Sequence, residues 1–369
     1  MRLHAPSRPR GFAIIIVLIV IVVLGLLAGA FAVAMKVEVR LAGNANNDAE
    51  LDWLGRSGVE MARYVLGQSM NQPYTSLNQL WAGGPGSASE SNSVLMAITL
   101  KNNQLGDGRF SVHIEDLERR VNINSLMPDP RAAQDPRSGL VMSRALSVIG
   151  ADSADAQTIS DSVFDWIDGD EFPRLSGTES DYYSGLTPPR VAKNGPIDDL
   201  AEMLQIRGVT PELYWGPSAA HHRFEMDDPG SGGQPTGLLP VYPVGLVDLF
   251  CALSNGRLNV NTASRFTLQL IPGVDENVAD NIIRARAGPD GVDGTEDDTP
   301  FTSPGALNPA SVPGFIPEVV AQSGIQLGVL SSTFEVFVDA RLGQSQRTYT
   351  AIVRRNSPTD VQILQFGWQ

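Results

Sequence analysis

One cysteine, Cys251, is the whole thiol content of the 369 residues, so no disulfide can close within the chain. Beside Leu249 and Phe250 it reads as a small buried hydrophobe. Histidine is almost as scarce. His4, His113, His221 and His222 show no metal-ligand spacing, and the adjacent His221 and His222 lie in a Gly/Pro/Ser-rich stretch that reads as a loop. There is no Gly-x-Ser-x-Gly elbow, no phosphate loop and no histidine placed with a nucleophile, so no catalytic set can be assembled. Positive charge is also in short supply. Lys and Arg number 27 against 41 Asp and Glu, a formal net charge of −14. A nucleic-acid surface would need a basic stripe, and nucleic acid is therefore not an expected partner. The balance suits a soluble exported domain.

Charge of either sign vanishes altogether from residue 12 to 35, which reads FAIIIVLIVIVVLGLLAGAFAVAM. Those 24 residues are long enough to cross a hydrocarbon core of about 30 Å. The run exceeds the h-region of an ordinary secretory signal, about 7–15 residues. Before it stands a basic leader, MRLHAPSRPRG, with Arg2, Arg8 and Arg10 and no acid. Positive flanks stay cytoplasmic, which sends the C-terminal part to the other side. The helix signal continues past the apolar run. Residues 36–66 contain no proline, and Val37, Leu41, Leu51, Leu54, Gly58, Ala62 and Val65 fall near one face. Residues 12–67 therefore predict one rod of roughly 80 Å. Gly25, Ala28, Gly29 and Ala32 offer small positions where another membrane helix can approach closely.

This N-terminus resembles that of type IV prepilin-like proteins. The resemblance implies cleavage after Gly11 by a prepilin peptidase and N-methylation of Phe12. Most members carry glutamate as the fifth mature residue, where this chain has Ile16. A buried acid costs several kcal/mol unless paired, and a subunit with no neighbour above it has no use for one. Within the family the missing glutamate is typical of the K-type minor pseudopilins of type II secretion systems.

Beyond the rod, periodicity divides the chain. After a turn-rich stretch at 71–92, residues 93–101 (SVLMAITLK), 110–114 (FSVHI) and 121–124 (VNIN) read as short strands. Near the C-terminus 333–342, 347–355 and 361–368 read as three antiparallel strands, separated by turns at Gly343 and at Asn356-Ser357-Pro358. Between the two sets the period is helical, at 140–149, 159–167 and 200–206, with an exit linker at 217–237. The expected fold class is α+β: a type IV pilin-like long N-terminal helix packed on an antiparallel sheet, with a large inserted α-helical domain. The expected divisions are a leader at 1–11, the helix at 12–67, the first sheet part at 68–124, the insertion at 125–250 and the second sheet part at 251–369. Residues 162–216 closely resemble the helical domain of K-type pseudopilins. Asp165-Trp166, Asp181-Tyr182-Tyr183, Lys193-Asn194-Gly195-Pro196 and the run 207–212 (RGVTPE) carry the match, and 256–264 (GRLNVNTAS) and 121–126 (VNINSL) extend it.

Three motifs invite chemistry. Leu270-Ile271-Pro272-Gly273-Val274 followed by a helix at 276–286 has the form of a helix-hairpin-helix. Such a turn offers backbone N–H groups to a phosphate, but Asp275, Glu276 and Asp280 flank it and would repel one, so the reading is a packing unit. Residues 288–299, GPDGVDGTEDDT, crowd Asp290, Asp293, Asp297 and Asp298 together, with Glu296 beside them. Calcium takes six to eight oxygens from such loops. The spacing is not that of an EF-hand, and resemblance to pseudopilins that carry calcium in this loop region supports Ca2+ as the cofactor. Asp161, Asp165, Asp168, Asp170 and Glu171 form a further cluster, which reads as an exposed helical face and its terminus.

The resemblance thus implies a non-enzymatic minor pseudopilin that caps the tip of the type II secretion pseudopilus. It implies a single-pass protein of the bacterial inner membrane with its C-terminal domain in the periplasm. Its partners would be the I- and J-type minor pseudopilins, the prepilin peptidase, the inner-membrane secretion platform and exported proteins. Two other readings compete. One is a membrane-tethered helix-hairpin-helix protein for DNA uptake. The other is a secreted calcium-dependent protein with an ordinary signal peptide cleaved near Ala32-Val33-Ala34.

Overall fold

The computed structural model describes residues 12–86, 94–127, 129, 135–218 and 242–368. Gly11 and the rest of the expected leader, His221, His222 and most of the expected exit linker lie outside the described residues.

Helix α1 (Phe12–Gln68) is a single element of 57 residues, about 85 Å at the helical rise. It is free of proline and rich in Ala and Leu, with Ile and Val crowded into its apolar first half. Its first half, Ile14–Glu38, has a mean hydropathy of 3.3 and is 0% buried. Among the described side chains of the rod, full burial starts at Leu51. From there Leu51, Leu54, Gly58, Ala62 and Val65 are buried with Val59 and Leu66, as the predicted stripe requires. Val37, expected on the same face, is exposed because packing on the sheet begins higher up the rod.

That sheet has five strands, all pairs antiparallel: β1 (Asn103–Leu105), β2 (Gly108–Asp116), β7 (Thr333–Leu342), β8 (Ser345–Ser357) and β9 (Asp360–Trp368), in that spatial order. One face alternates into the core against α1: Phe110, Val112 and Ile114 from β2, Phe334, Val336, Val338 and Ala340 from β7, Tyr349, Ala351 and Val353 from β8. Trp81, from the loop after the rod, closes the end of this core edge-to-face on Phe334, 5.2 Å between centroids. The three C-terminal strands stand where the alternation places them. Residues 93–101 do not form a strand. Val94–Ala97 is a 3-10 turn in which Leu95 is buried while Val94 and Met96 are exposed. The sheet edge that this segment would have paired with is taken by β1, which forms a tight hairpin with β2 through positive-φ Gly106.

β2 and β7 pair from Arg109↔Arg341 to Asp116↔Phe334, and the chain between them forms a second body. It contains α2 (Pro136–Ile149), α3 (Ser153–Ile167), α4 (Ser180–Ser184), α5 (Pro211–Trp215), α6 (Leu246–Leu249), α7 (Arg265–Leu268), α8 (Glu276–Arg286) and α9 (Pro317–Ala321). Two short parallel pairs stitch it, β3 (Val121–Asn122) with β4 (Phe250–Cys251) and β5 (Arg257–Asn259) with β6 (Gln326–Gly328). The ends of α2 are written locally. Asp135 caps the N–H of Arg137, Pro136 fills the first turn, and Gly150 terminates the helix at φ 90°. The predicted helix at 200–206 is a 3-10 element, Leu200–Gln205, held by an Asp199/Glu202 capping box.

The cores divide the chain differently from the boundary expected at 250. One apolar cluster runs from Val121 to Val329 and holds Met142, Phe164 and Trp166 together with Leu268, Ile271, Val274 and Ile282. The helix-hairpin-helix-like element therefore packs with the helical body. The reason is the return of β4 to pair with β3, which keeps the segment after 250 on the same core.

The closest approach of rod and sheet sits at two glycines. A Cβ on Gly55 would fall into the ring of Tyr349, and one on Gly58 into the methyls of Val338. A Cβ at Gly25 or Gly29 meets nothing within 4 Å. Gly58→Leu is expected to destabilise the fold by about 1–3 kcal/mol, the usual cost of overpacking, whereas Gly29→Leu should leave melting of the head unchanged. Circular dichroism melts of the two variants in detergent check this; equal melting points would contradict the packing described.

Candidate functional site

The first candidate surface is the lower rod. Phe12 opens α1 exposed, and Ile16, Gly25, Ala28, Gly29 and Ala32 all face outward with none of the described residues covering them. The small residues recur at three- and four-residue steps and so share one helix face. An apolar helix this long, bare of protein, needs lipid or other helices around it.

The second is the acidic loop after α8. Its five acids are not drawn into one cluster of ligand atoms among the described residues. Asp293 turns inward and pairs with Arg286, at 2.9 Å from Nε and 2.6 Å from Nη2. Arg286 is buried and donates to the Val260 carbonyl as well. Asp298 accepts from the N–H groups of Gly294 and Thr295, Asp297 from the N–H of Asp290 and the Thr295 hydroxyl, and Asp290 from the N–H of Val292. The Thr295 hydroxyl holds the Asp297 carboxyl below its usual range, while burial raises that of Asp298. Glu296, Asp290 and Asp297 are exposed. Most of these acids thus order the turn through its own N–H groups.

The third site joins the two bodies. Asp116, at the last rung of β2, is 1% exposed and Glu118 is 0% exposed. Asp116 accepts from Thr262 and Ser331 hydroxyls, both at 2.6 Å, from Asn259 at 3.0 Å and from the Glu118 N–H at 2.8 Å. Glu118 accepts from Asn255 and from the Ser332 and Thr333 backbone. Buried Arg355 donates to the carbonyls of Leu66 and Ser331 and to Ser69 and Thr75, over the face of Phe334. The asparagines of the two matching motifs serve here and nearby. Asn259 also reaches the Thr75 carbonyl, Asn261 exchanges both its amide ends with the Phe301 backbone, and Asn124 does so with Ile197. They are structural fasteners. The helix-hairpin-helix turn is tied to the helical body, with Gly273 itself exposed: Arg144 of α2 donates to the carbonyls of Gln269 and Val274, and Val319 lies against Gly273.

The fourth site is one the sequence reading treated as an exposed face. The structure brings Asp165 and Asp168 together and adds Glu179, with ligand oxygens within 4.8 Å of one another, all three buried. Arg174 lies between the two aspartates, 2.5 Å from each. Burial, reinforced by the neighbouring acids, pushes the Glu179 carboxyl up to about 8. The other members of the predicted cluster do local work: Asp170 caps the Phe172 N–H, Glu171 accepts from Ser180 and Asn194, and Asp161 accepts from Gln157 and the Ser176 N–H. Glu179 stands eleven residues beyond Asp168, and nothing in local spacing links them.

The joint carries a pH dependence. Burial first, then the neighbouring Asp116, lifts Glu118 to about 7, and burial raises Asp116 too, while burial lowers Arg355 to about 10. Both acids hold a proton more tightly folded than unfolded. The contribution of Glu118 to stability is therefore fully present below about 4.5 and is lost as pH rises through about 7, and Asp116 acts in the same direction. The melting temperature should fall across that window, and Glu118→Gln should flatten the fall. An unchanged slope in the variant would rule Glu118 out as its source.

Comparison with known proteins places these features. The family Type II secretion system (T2SS), protein K, matches residues 119–215, the body that begins after the joint. The chain is 27% identical over 214 residues to the putative type II secretion system protein K of Escherichia coli (strain K12), covering 56% of this chain and 60% of that protein. It is 26% identical over 217 residues to the protein K of Aeromonas hydrophila, covering 56% and 61%. These matches thus span about three fifths of each relative's length. With the protein K of Pseudomonas aeruginosa (strain PAO1) the match runs over 364 residues at 22% identity, 96% of this chain and 91% of that one. Among solved structures, a chain of the GspK-GspI-GspJ complex from the enterotoxigenic Escherichia coli type 2 secretion system superposes with a TM-score of 0.63 at 18% identity. That superposition covers 88% of this chain and 98% of the other, and it establishes the shared fold.

Proposed function

We propose that this chain, which belongs to the type II secretion system protein K family, is a minor pseudopilin that caps the tip of the secretion pseudopilus. The observation that carries the reading is the division of α1: a bare apolar half of membrane length, then a half packed on a pilin-like sheet. The helical body, inserted between two adjacent strands, widens the head well beyond the rod. In a filament shaft that bulk would block the subunit above; at a tip it meets nothing. Ile16 fits the same position, since an uppermost subunit has no neighbouring amine to pair with an acid. The chain works as an assembly part and not as an enzyme.

Its placement is a single pass of the bacterial inner membrane with the head in the periplasm, after a prepilin peptidase removes the leader at Gly11 and Phe12 is methylated. The I- and J-type minor pseudopilins are its partners, a reading supported by the likeness to a chain of the GspK-GspI-GspJ complex. Gly25, Ala28, Gly29 and Ala32 supply the close-approach face in the membrane. The secretion platform and exported proteins complete the partner set. Calcium is assigned to the acidic loop through Asp290, Glu296 and Asp297, with Asp298 fixing the turn and Asp293 committed to Arg286.

Deleting the chain is expected to abolish or sharply reduce secretion, and Ile16→Glu should bring no gain. Gly25→Leu with Gly29→Leu should weaken co-purification with the partner pseudopilins while the head melts normally. Immunogold labelling that found the protein spaced along the shaft would defeat the tip placement. Filled to 100 times its dissociation constant, one calcium site adds about 2.7 kcal/mol. Chelation should therefore lower the melting point, and Asp290→Asn with Glu296→Gln should remove that response; a response that persisted would move calcium elsewhere.

A further inference from the structure

The carboxylates of Asp165, Asp168 and Glu179 are 0%, 5% and 5% exposed as residues. Neither Glu179 oxygen has a hydrogen-bond partner, and Asp168 Oδ1 has none. Asp165 is fully engaged, accepting from the N–H groups of Arg174 and Thr178 as the loop wraps over it. That wrap needs Gly177, where a Cβ would strike the Asp165 carboxylate. The cluster's own counter-charge is Arg174, whose side chain is 21% exposed and rests on the ring of Phe164. Among the described residues three acids face one guanidinium, so the fully ionised cluster would carry a buried excess of two negative charges. Several kcal/mol per uncompensated ion makes such an excess untenable without a counter-ion or protons.

Geometry leaves room for one ion to meet all three acids. Oxygens facing each other across a calcium ion stand about 4.6–5.2 Å apart, twice the calcium–oxygen distance, and those of the three acids lie within 4.8 Å. The unpartnered Glu179 carboxylate supplies free lone pairs at the place where an ion would need them. Arg174 is on a loop with no helix or strand between Ile167 and Ser180, and its head is partly in water, so it can leave without unfolding anything.

We propose that Asp165, Asp168 and Glu179 form a site for a divalent cation of calcium size, closed by Arg174 as a tethered cation that the ion displaces. An ion there ties α3 to the first residue before α4 and fixes the intervening loop. That loop displays Phe172 and Leu175 to solvent, 82% and 102% exposed, so the ion sets the shape of an apolar surface on the helical body. This site is distinct from the acidic loop after α8 and stands whether or not that loop holds calcium.

The test uses the full chain in detergent, stripped with EDTA, in a background carrying Asp290→Asn and Glu296→Gln. Terbium luminescence excited through tryptophan reports binding next to Trp166, and calcium competes it away. The background protein is expected to bind, Arg174→Gln to bind about tenfold tighter or better because the internal competitor is gone, and Glu179→Gln to lose the signal. Without ion, Glu179→Gln should melt at or above the parent, since a buried carboxyl without a partner is removed; this separates lost binding from lost folding. Absence of calcium-competable luminescence from both the background protein and Arg174→Gln at millimolar ion would overturn the site, as would full binding by Glu179→Gln. If Glu179→Gln failed to fold, the Arg174→Gln affinity alone would decide, and equal or weaker binding would count against the proposal. Secretion by complementation is read separately, so failure here leaves the tip reading untouched.

Discussion

Everything above the membrane hangs on one strand pair and the polar knot at its end. β2 and β7 are neighbours in the sheet, yet Asp116 and Ser331, bonded at their junction, are 215 positions apart. Closing a loop of that length costs about 5 kcal/mol in the simplest chain model, before a constant. The strand ladder alone does not say where the returning chain must enter. Asp116 and Glu118 do. Between them they collect hydroxyls, amides and backbone N–H groups from Ser331, Ser332, Thr333, Asn255, Asn259 and Thr262, all of which arrive only when the helical body is folded and in place. A buried acid left without these donors would cost its full desolvation, so the knot punishes every other register of β7 on β2.

The lower rod obeys the opposite rule. Residues 14–38 satisfy all their backbone groups within the helix and ask nothing of the head. Because no described element touches them, their sequence is free to answer to lipid and neighbouring helices, which is why glycine can recur there without a packing reason inside the chain. Above residue 51 the same helix carries glycine for a reason that is internal: Tyr349 and Val338 lie where a side chain would be. Small residues on one helix thus mean two different things, separated by the level at which the sheet begins.

The upper rod, the three C-terminal strands and α2 and α3 of the insertion were legible from period alone, since each buries one regular face. The strand expected at 93–101 was not, because alternation is necessary for a strand but a free edge is also required, and β1 holds it. Chemistry was harder to read than fold. The acidic loop drew attention by density of charge, but density along the chain is not convergence in space, and Asp293 turned out to face Arg286. The convergent acids, Asp165, Asp168 and Glu179, come from the end of α3 and the N-cap of α4. Only the wrap of residues 174–178 over Asp165 brings them together, and that wrap has no periodic signature. The asparagines of the matching motifs were visible as a pattern, but their role as fasteners depended on partners up to 184 positions away.

Arg355 shows how rod, sheet and insertion become one mechanical unit. Its guanidinium reaches the Leu66 carbonyl in the last turn of α1, where helix carbonyls lack intrahelical donors and the helix dipole favours a cation. The same group reaches Ser69 and Thr75 in the segment leaving the rod and the Ser331 carbonyl in the segment entering β7. It is anchored on β8 and lies over the ring of Phe334, 5.0 Å from its centroid. Burial lowers its pKa only to about 10, so it keeps its charge at any physiological pH. Lysine cannot replace it, for a single ammonium has neither the fork to bond four groups in one plane nor the flat face to stack. A push or twist applied along α1 therefore reaches the helical body through hydrogen bonds to a fixed charge, and not through a flexible link. The junction of rod, sheet and insertion is thus held by three buried charged side chains, Asp116, Glu118 and Arg355.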